Sequence, residues 1–289
     1  MIRAILVGYG AFGRVYARRL IEHADFELVG IVDSGSNIEP AAATGVRVYS
    51  RLSDALRCES PGVVIVAASE EAHAELAIES FGASCSVFLA KPGALSMPSA
   101  LRVADAAVTS SRALMVDWTA LRMPGWDEAR KDAATLGDIT CAKFTRASWA
   151  IPRACGALWD LVPHDVALAL SIDDDRVVDV SADAWDRGVQ LVLRHESGRV
   201  SRIEADYAAG VRARRVDIAG TERVVSWDAD DAAPGRDAVS LGFDRFCRIV
   251  RGVERDDLGM FLCVMRVLCA AESDIAAKAA ARRRVELVA

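Results

Sequence analysis

The hydrophobic pattern of the first part of the chain alternates between short apolar runs and longer amphipathic stretches. A short apolar run is typical of a strand covered on both faces of a sheet, whereas apolar spacings of three and four residues are typical of a helix. The predicted strands are Ala4–Val7, Leu28–Val32, Val63–Ala67, Ser86–Leu89 and Ala113–Val116. The predicted helices are Ala11–Glu22, Glu71–Phe81 and Met97–Ala107. This alternation predicts an α/β fold with a doubly wound parallel sheet.

The pattern changes near Pro124, which indicates a second domain. The later elements are a helix at Trp126–Thr135, strands at Val189–Arg194 and Val200–Ala208, a hairpin turn at Glu196–Gly198, a long helix at Leu258–Ala281 and a short strand at Val285–Val288. We therefore expect a dinucleotide-binding Rossmann domain over residues 1–118. Residues 119–289 are predicted to form an α+β domain on a mostly antiparallel sheet with one open face, whose final helix can pack back on the first domain.

Composition narrows the possible functions. Hydrophobic residues make up 52% of the chain and charged residues 26%, which predicts a folded protein. The net charge of −6 and the absence of a basic patch argue against nucleic-acid binding. We recognise neither a signal peptide nor an apolar stretch of spanning length, so we expect a cytoplasmic protein without a membrane segment. Seven scattered cysteines without a CxxC pair predict reduced thiols and no metal site.

A glycine motif follows the first predicted strand and opens the first predicted helix: Gly8-Tyr9-Gly10-Ala11-Phe12-Gly13. Gly8 would allow the tight turn, Gly10 the approach of the backbone to a pyrophosphate, and Gly13 the close packing of helix on strand. The amino terminus of the helix would face the phosphates. The motif therefore predicts a dinucleotide site that includes Ala11 and Phe12.

Asp33 ends the second predicted strand, about 20 residues beyond the motif, where a carboxylate accepts hydrogen bonds from the adenosine ribose. A carboxylate there would repel the 2′-phosphate of NADP, and no arginine follows in the segment that begins with Ser34. The sequence thus favours NAD, with contacts from Asp33 and Ser34. NADP stays possible, because Arg14 or Arg51 could reach the loop.

Two further motifs are Ala90-Lys91-Pro92 and Asp160-Leu-Val-Pro-His164. They resemble motifs of the glucose-fructose oxidoreductase/inositol dehydrogenase family, known as Gfo/Idh/MocA. The resemblance extends over nearly the whole chain and implies an NAD(P)-dependent dehydrogenase or reductase. It places Lys91, Asp160 and His164 around the nicotinamide and substrate, with Ala68 and Pro92 near the cofactor. It also implies a homodimer or homotetramer, formed through the sheet of the second domain, whose uncovered face would otherwise be an apolar liability.

The residues of these motifs suit hydride transfer to a ketone. Asp160 and His164 lie four apart in a helix-like segment, so both would project from one face. Histidine titrates near neutrality and could exchange the proton of the product alcohol, whereas an ammonium could polarise the carbonyl. We assign His164 as acid/base, Lys91 as electrostatic stabiliser or alternate proton donor, and Asp160 as the group that binds substrate hydroxyls or orients His164.

Several other residues are candidates for substrate contact. Trp118 and Trp149 could line a sugar-binding cleft, as could Trp159, although core packing explains a tryptophan equally well. Arg122 and Arg153 could bind a carboxylate or phosphate if the substrate is not a sugar. These alternatives lead to different substrate classes.

Ala90 departs from the family pattern, which has glutamate before Lys-Pro. The leading hypothesis is an oxidoreductase that acts on the ketone or secondary alcohol of a sugar or a related polyhydroxylated small molecule. The enzymatic alternative is an imine or enone reductase for a non-sugar metabolite. A non-catalytic regulator that senses dinucleotide is the third hypothesis. Ala90 favours the regulator, whereas Lys91, Asp160 and His164 favour an enzyme.

Overall fold

The computed structural model describes residues 1–207, 210, 212–231 and 236–286. The described chain divides into two compact units, the first formed by Met1–Asp117 with Arg236–Leu262 and the second by Trp118–Gly235 with Cys263–Ala289. The prediction that all residues after 118 form one domain is therefore wrong for 236–262. This segment holds an amphipathic helix whose apolar side chains pack in the first unit, including Phe243 and Phe246.

The first unit is built on a six-stranded parallel sheet of order β3-β2-β1-β4-β5-β6. Its strands are β1 (Ile2–Val7), β2 (Phe26–Val32), β3 (Val48–Tyr49), β4 (Val63–Val66), β5 (Ser86–Leu89) and β6 (Leu114–Val116). Its helices are α1 (Ala11–Glu22), α2 (Ile38–Ala42), α3 (Leu52–Glu59), α4 (His73–Gly82), α5 (Met97–Ser110) and the C-terminal α9 (Ala238–Val250). The strand order reverses between β1 and β4, which is where open α/β sheets bind ligands at the carboxyl ends of their strands.

The second unit is built on a mixed, mostly antiparallel sheet of order β12-β11-β7-β10-β9-β8. Its strands are β7 (Ile139–Ala147), β8 (Val177–Trp185), β9 (Gly188–His195), β10 (Val200–Asp206), β11 (Ala213–Gly220) and β12 (Val224–Asp228). Its helices are α6 (Trp126–Ala133), α7 (Gly156–Asp160) and α8 (Val162–Ser171). Among the described strands of this sheet, only β7 and β10 pair in parallel. The predicted fold class is confirmed, as is the hairpin turn that joins β9 to β10.

The last helix, α10 (Leu258–Glu286), begins in the first unit and continues in the second. The strand predicted at Val285–Val288 is wrong for 285 and 286, which continue α10, while 287 and 288 lie outside the described residues. Ala208 of the predicted Val200–Ala208 strand also lies outside them.

One face of the second sheet is covered by buried apolar side chains such as Phe144, Leu191 and Ile203. The residues that alternate with them include the exposed polar side chains of Lys143, Gln190, Arg202, Glu204 and Arg215, together with apolar Val192, Val200 and Val224. This face is therefore mixed, and not continuously apolar as the sequence led us to expect. The strand alternation has placed charges where the sheet meets solvent, which is a common arrangement for antiparallel sheets.

Candidate functional site

The glycine loop sits at the point where the strand order reverses. Gly8 has a φ of 92°, and a Cβ on it would lie 2.5 Å from the carbonyl oxygen of Ala67, just after β4. A Cβ on Gly13 would overlap the carbonyl oxygen of Gly8. A Cβ on Gly10 would meet no protein atom within 4 Å. Gly8 and Gly13 are thus required by the protein itself, whereas Gly10 leaves open space of the kind a pyrophosphate occupies.

The amino terminus of α1 suits a phosphate. Gly10 caps the helix without a side-chain hydrogen bond, and its first turn carries no acidic residue. Ala11 and Phe12 are exposed there. Backbone N–H groups at a helix amino terminus attract anions through their partial positive charge. The residues present therefore fit the diphosphate of a dinucleotide.

Asp33 follows β2 and is held by the glycine loop. Its Oδ2 accepts a hydrogen bond from the backbone N–H of Tyr9 at 2.5 Å, and its Oδ1 accepts one from the N–H of Ser34 at 2.7 Å. These bonds fix the carboxylate beside the loop that would bind the phosphates. Asn37 lies between Arg14 and this carboxylate: its Oδ1 is 3.5 Å from Nη2 of Arg14, and its Nδ2 is 3.5 Å from Oδ2 of Asp33.

Lys91 and Pro92 follow β5 at the same edge of the sheet as the glycine loop; Lys91 is half-buried and Pro92 is buried. Ala68, which follows β4, accepts a hydrogen bond on its carbonyl oxygen from Nε2 of His73 at 3.1 Å. His73 is buried, and this burial lowers its pKa to about 4. The imidazole is therefore neutral at physiological pH, with its proton on Nε2, and it holds the Ala68 backbone in place.

In the second unit, Asp160 ends α7 and His164 lies in the first turn of α8, so the predicted helix-like segment is two helices. Asp160 is buried and His164 is half-buried. Oδ2 of Asp160 accepts a hydrogen bond from the Tyr207 hydroxyl at 2.6 Å, and its Oδ1 lies 3.4 Å from Nε of Arg153. The two groups together fix the orientation of the carboxylate.

Tyr207 was not predicted as a site residue. Burial, together with the neighbouring Asp160 carboxylate, raises the pKa of Tyr207 above its ordinary value, so the hydroxyl stays a donor across the physiological range. Tyr207 follows β10, far from Asp160 in sequence. No local spacing signals this contact, because it depends on how β10 and α7 pack.

A buried ion pair supports the segment that carries His164. Arg146 of β7 donates from Nε and Nη2 to Oδ2 and Oδ1 of Asp165, at 2.6 and 2.8 Å. Both residues are buried. A bidentate geometry of this kind ties the start of α8 to the sheet.

The remaining predicted substrate residues differ in exposure. Trp118 is fully buried, which favours packing over substrate contact. Trp159 is also buried, and its indole N–H donates to Glu272 at 2.8 Å. Trp149 is 70% exposed, and Arg122 ends a short 3-10 helix and is half-buried. Trp149 and Arg122 therefore stay candidates for substrate contact.

Comparison with known families assigns the class of protein. Residues 2–118 match the Gfo/Idh/MocA sequence model, described as an oxidoreductase family with an NAD-binding Rossmann fold. The first domain of the chain is therefore similar to the NAD-binding domain of the Gfo/Idh/MocA oxidoreductases. The resemblance inferred from the Lys91 and Asp160 motifs is confirmed, as is the prediction of an enzyme. A search of curated proteins gave no match.

Solved structures extend the fold comparison over both units. GenD2 from gentamicin A biosynthesis, in complex with NAD, is 20% identical at a TM-score of 0.86, covering 95% of this chain and 94% of that one. The UDP-N-acetylglucosamine 3-dehydrogenase GnnA from Acidithiobacillus ferrooxidans is 21% identical at 0.85, covering 96% and 98%. The myo-inositol 2-dehydrogenase from Lactobacillus plantarum is 15% identical at 0.85, also covering 96% and 98%. At these identities the likeness establishes the fold.

Neither a metal-binding cluster nor a membrane-spanning helix occurs among the described residues. They contain no group of three or more His, Cys, Asp or Glu side chains placed to hold a metal ion. None of the helices formed by these residues is long and apolar enough to cross a membrane.

Proposed function

We propose that the protein transfers a hydride between NAD and the ketone or secondary alcohol of a sugar or a related polyhydroxylated small molecule. The observation that carries this proposal is the buried carboxylate of Asp160, which Tyr207 fixes at 2.6 Å on the segment that leads to His164. A carboxylate held in this way can accept hydrogen bonds from substrate hydroxyls. GnnA and the myo-inositol dehydrogenase, named for polyhydroxylated substrates, support this substrate class.

The nicotinamide supplies or accepts the hydride when the cofactor is bound. The Gly8–Gly13 loop and the start of α1 would bind the diphosphate, while Asp33 and Ser34 would bind the adenosine ribose. We propose NAD over NADP because a 2′-phosphate would meet the Asp33 carboxylate, which already accepts hydrogen bonds from Tyr9 and Ser34. Ala68, Lys91 and Pro92, at the same edge of the sheet, would border the nicotinamide end.

Side chains of this protein would exchange the proton of the substrate alcohol and stabilise the negative charge on its oxygen. In the direction of reduction, His164 would donate a proton to the substrate oxygen, and in oxidation it would accept one. Lys91 would stabilise negative charge on that oxygen. Asp160 would bind a neighbouring hydroxyl or orient His164, and its own position depends on Tyr207 and Arg153.

The test has a binding step and a turnover step. NADH and NADPH are titrated by protein fluorescence, and keto-sugars, cyclic polyols, imines and enones are then screened through nicotinamide absorbance. The proposal expects NADH binding and turnover of a keto-sugar or polyol. Lys91→Met and His164→Asn should lower kcat by at least about 100-fold with little change in NADH affinity. Lys143→Met, on the exposed face of β7, is the matched control and should keep full activity.

The alternatives give different outcomes in the same experiment. Turnover restricted to imines or enones would replace the sugar proposal with the reductase alternative. NADH binding without turnover of any class would favour a dinucleotide sensor, in line with Ala90 in place of glutamate. Failure to bind either dinucleotide would refute the assignment of the Gly8–Gly13 loop.

We also propose, from the family resemblance, that the chain forms a homodimer or homotetramer. The charged outer face of the second sheet would then make a polar interface. Size-exclusion chromatography with light scattering gives the mass in solution, and a monomer at micromolar concentration would refute this assembly.

A further inference from the structure

Two arginines face each other across neighbouring strands of the second unit. Arg146 of β7 and Arg214 of β11 are register partners in an antiparallel pair. Residues directly opposite in such a pair lie close together on one face, and like charges there are destabilising. The side chain of Arg146 is 10% exposed and that of Arg214 is 16% exposed, so water screens them weakly. The stability of this part of the sheet therefore requires carboxylates beside Arg146 and Arg214.

The two arginines differ in their carboxylate partners. Arg146 is neutralised by its own bidentate partner, Asp165. Arg214 pairs with Oδ1 of Asp230, and the same oxygen lies 3.5 Å from Nε of Arg212. The two guanidiniums lower the pKa of Asp230, first through the hydrogen bond from Arg214, so the carboxyl stays ionised. One carboxylate thus serves two arginines.

Arg212 and Arg214 lie at the sheet edge that carries Asp160. Ala147 at the end of β7 pairs with Asp206 at the end of β10 and with Ala213 at the start of β11. Arg212 directly precedes Ala213. Tyr207 directly follows Asp206, and its hydroxyl donates a hydrogen bond to Asp160. Asp165 is the main group that raises the pKa of Arg146, and the charges of Asp160 and Asp230 act in the same direction on this buried guanidinium.

A third arginine belongs to this edge. Arg153 lies on the segment that follows β7, its side chain is 52% exposed, and its Nε is 3.4 Å from Oδ1 of Asp160. The side chain of Arg212 is 48% exposed. Both guanidiniums can therefore reach a ligand from solvent while they keep a carboxylate partner.

We propose that Arg212 and Arg214, with Arg153, bind an anionic group of the substrate, a phosphate or a carboxylate. Arginine suits this role because its planar fork matches both groups with paired hydrogen bonds. The proposal rests on the proposed function in one respect, since it takes the bound molecule to be the substrate that reacts beside Asp160. It narrows the substrate class to polyhydroxylated molecules that carry a negative charge.

The test uses simple anions as probes. The full-length protein is saturated with NAD⁺, so that the dinucleotide site is filled, and is titrated by calorimetry with pyrophosphate and with malonate. We expect at least one probe to bind, and Arg212→Ala to weaken it by about tenfold, as expected for a charge-assisted hydrogen bond. Arg212→Lys should lose less, because it keeps the charge. Arg215→Ala is the matched control on the opposite face of β11, where Arg215 pairs with Asp217, and should bind as the wild type does.

Each outcome decides the proposal. Tighter binding of pyrophosphate identifies a phosphorylated substrate, and tighter binding of malonate identifies a carboxylate. No binding of either probe overturns the proposal, as do equal losses in Arg212→Ala and Arg215→Ala. NADH binding and turnover are measured on the same samples, so a failure of the proposed function is seen separately from a failure of the anion site.

Discussion

The hydroxyl of Tyr207 donates a hydrogen bond to Oδ2 of Asp160 across 2.6 Å, and both side chains are buried. Tyr207 follows β10, whereas Asp160 ends α7. The bond fixes the rotamer of the carboxylate that we assign to substrate binding. The position of Asp160 is therefore set by the sheet as well as by its own helix.

Removal of this hydroxyl tests the role of Tyr207. Tyr207→Phe leaves the ring in place but removes a donor from a buried carboxylate, so we expect a loss of about 1–3 kcal/mol in the free energy of unfolding. We also expect kcat/KM to fall by about tenfold or more. Urea denaturation and steady-state kinetics measure the two effects.

The matched control is Tyr49→Phe in the first unit, where the Tyr49 hydroxyl donates to Oε1 of Glu59 at 2.5 Å. This variant also removes a hydroxyl from a carboxylate, but far from Asp160 in sequence, and it keeps the Tyr49 backbone carbonyl that accepts a hydrogen bond from the Asp33 N–H. It should lose stability and keep kcat/KM. Equal activity of the Tyr207 variant and the wild type would show that Asp160 needs no such positioning.

The glycine loop predicts two different effects of adding one methyl group. Gly13→Ala should lower the melting temperature by several degrees, because its Cβ would overlap the Gly8 carbonyl oxygen. Gly10→Ala should keep the melting temperature, since no protein atom lies within 4 Å of its Cβ, yet lose NADH affinity by about tenfold or more. Thermal unfolding and fluorescence titration separate the two. Full NADH affinity in Gly10→Ala would contradict the placement of the diphosphate.

Asp33 predicts the cofactor preference. The wild type should bind NADH more tightly than NADPH, because the Asp33 carboxylate would repel a 2′-phosphate. Asp33→Ala should reduce the ratio of the two affinities by about tenfold, mostly through weaker NADH binding. Asp54→Ala removes a half-buried carboxylate from the first turn of α3 and should leave the ratio unchanged. A wild-type preference for NADPH would instead point to Arg14, which lies beside Asn37.

The lowered pKa of His73 predicts that the stability of the protein depends on pH. Burial lowers its pKa to about 4 in the folded protein, whereas an unfolded histidine titrates near 6.5. The unfolded chain therefore binds more protons between these values, and the free energy of unfolding falls as pH decreases from about 6.5 to about 4. Protonation of His73 in the unfolded chain accounts for a loss of roughly 3 kcal/mol in the free energy of unfolding between about pH 6.5 and about pH 4.

Urea midpoints measured from pH 4.5 to 8 for the wild type and His73→Gln isolate this contribution. The glutamine keeps an N–H donor for the Ala68 carbonyl but does not titrate, so its stability should depend less on pH. The difference between the two proteins at pH 8 gives the packing effect alone. Parallel curves for the two proteins would show that His73 is not the group responsible.

The amino-acid sequence by itself predicted most of the parallel sheet of the first unit and the residues of the proposed dinucleotide site. Buried parallel strands produce apolar runs, and a phosphate loop requires glycines at fixed spacing, so both features are local patterns. The motif at Gly8–Gly13, the acid at Asp33 and the step at Lys91–Pro92 all follow strands directly. For this reason they could be placed at one edge of the sheet without coordinates.

The tertiary structure alone decided which residues support Asp160 and His164 and to which unit α9 belongs. Tyr207 meets Asp160, Arg146 meets Asp165, and Arg214 lies opposite Arg146 only because strands distant in sequence become neighbours. Likewise, α9 packs in the first unit although it follows the whole second sheet. Periodicity shows which face of an element is buried but not which element covers it, so these long-range contacts carry no signal in a single sequence.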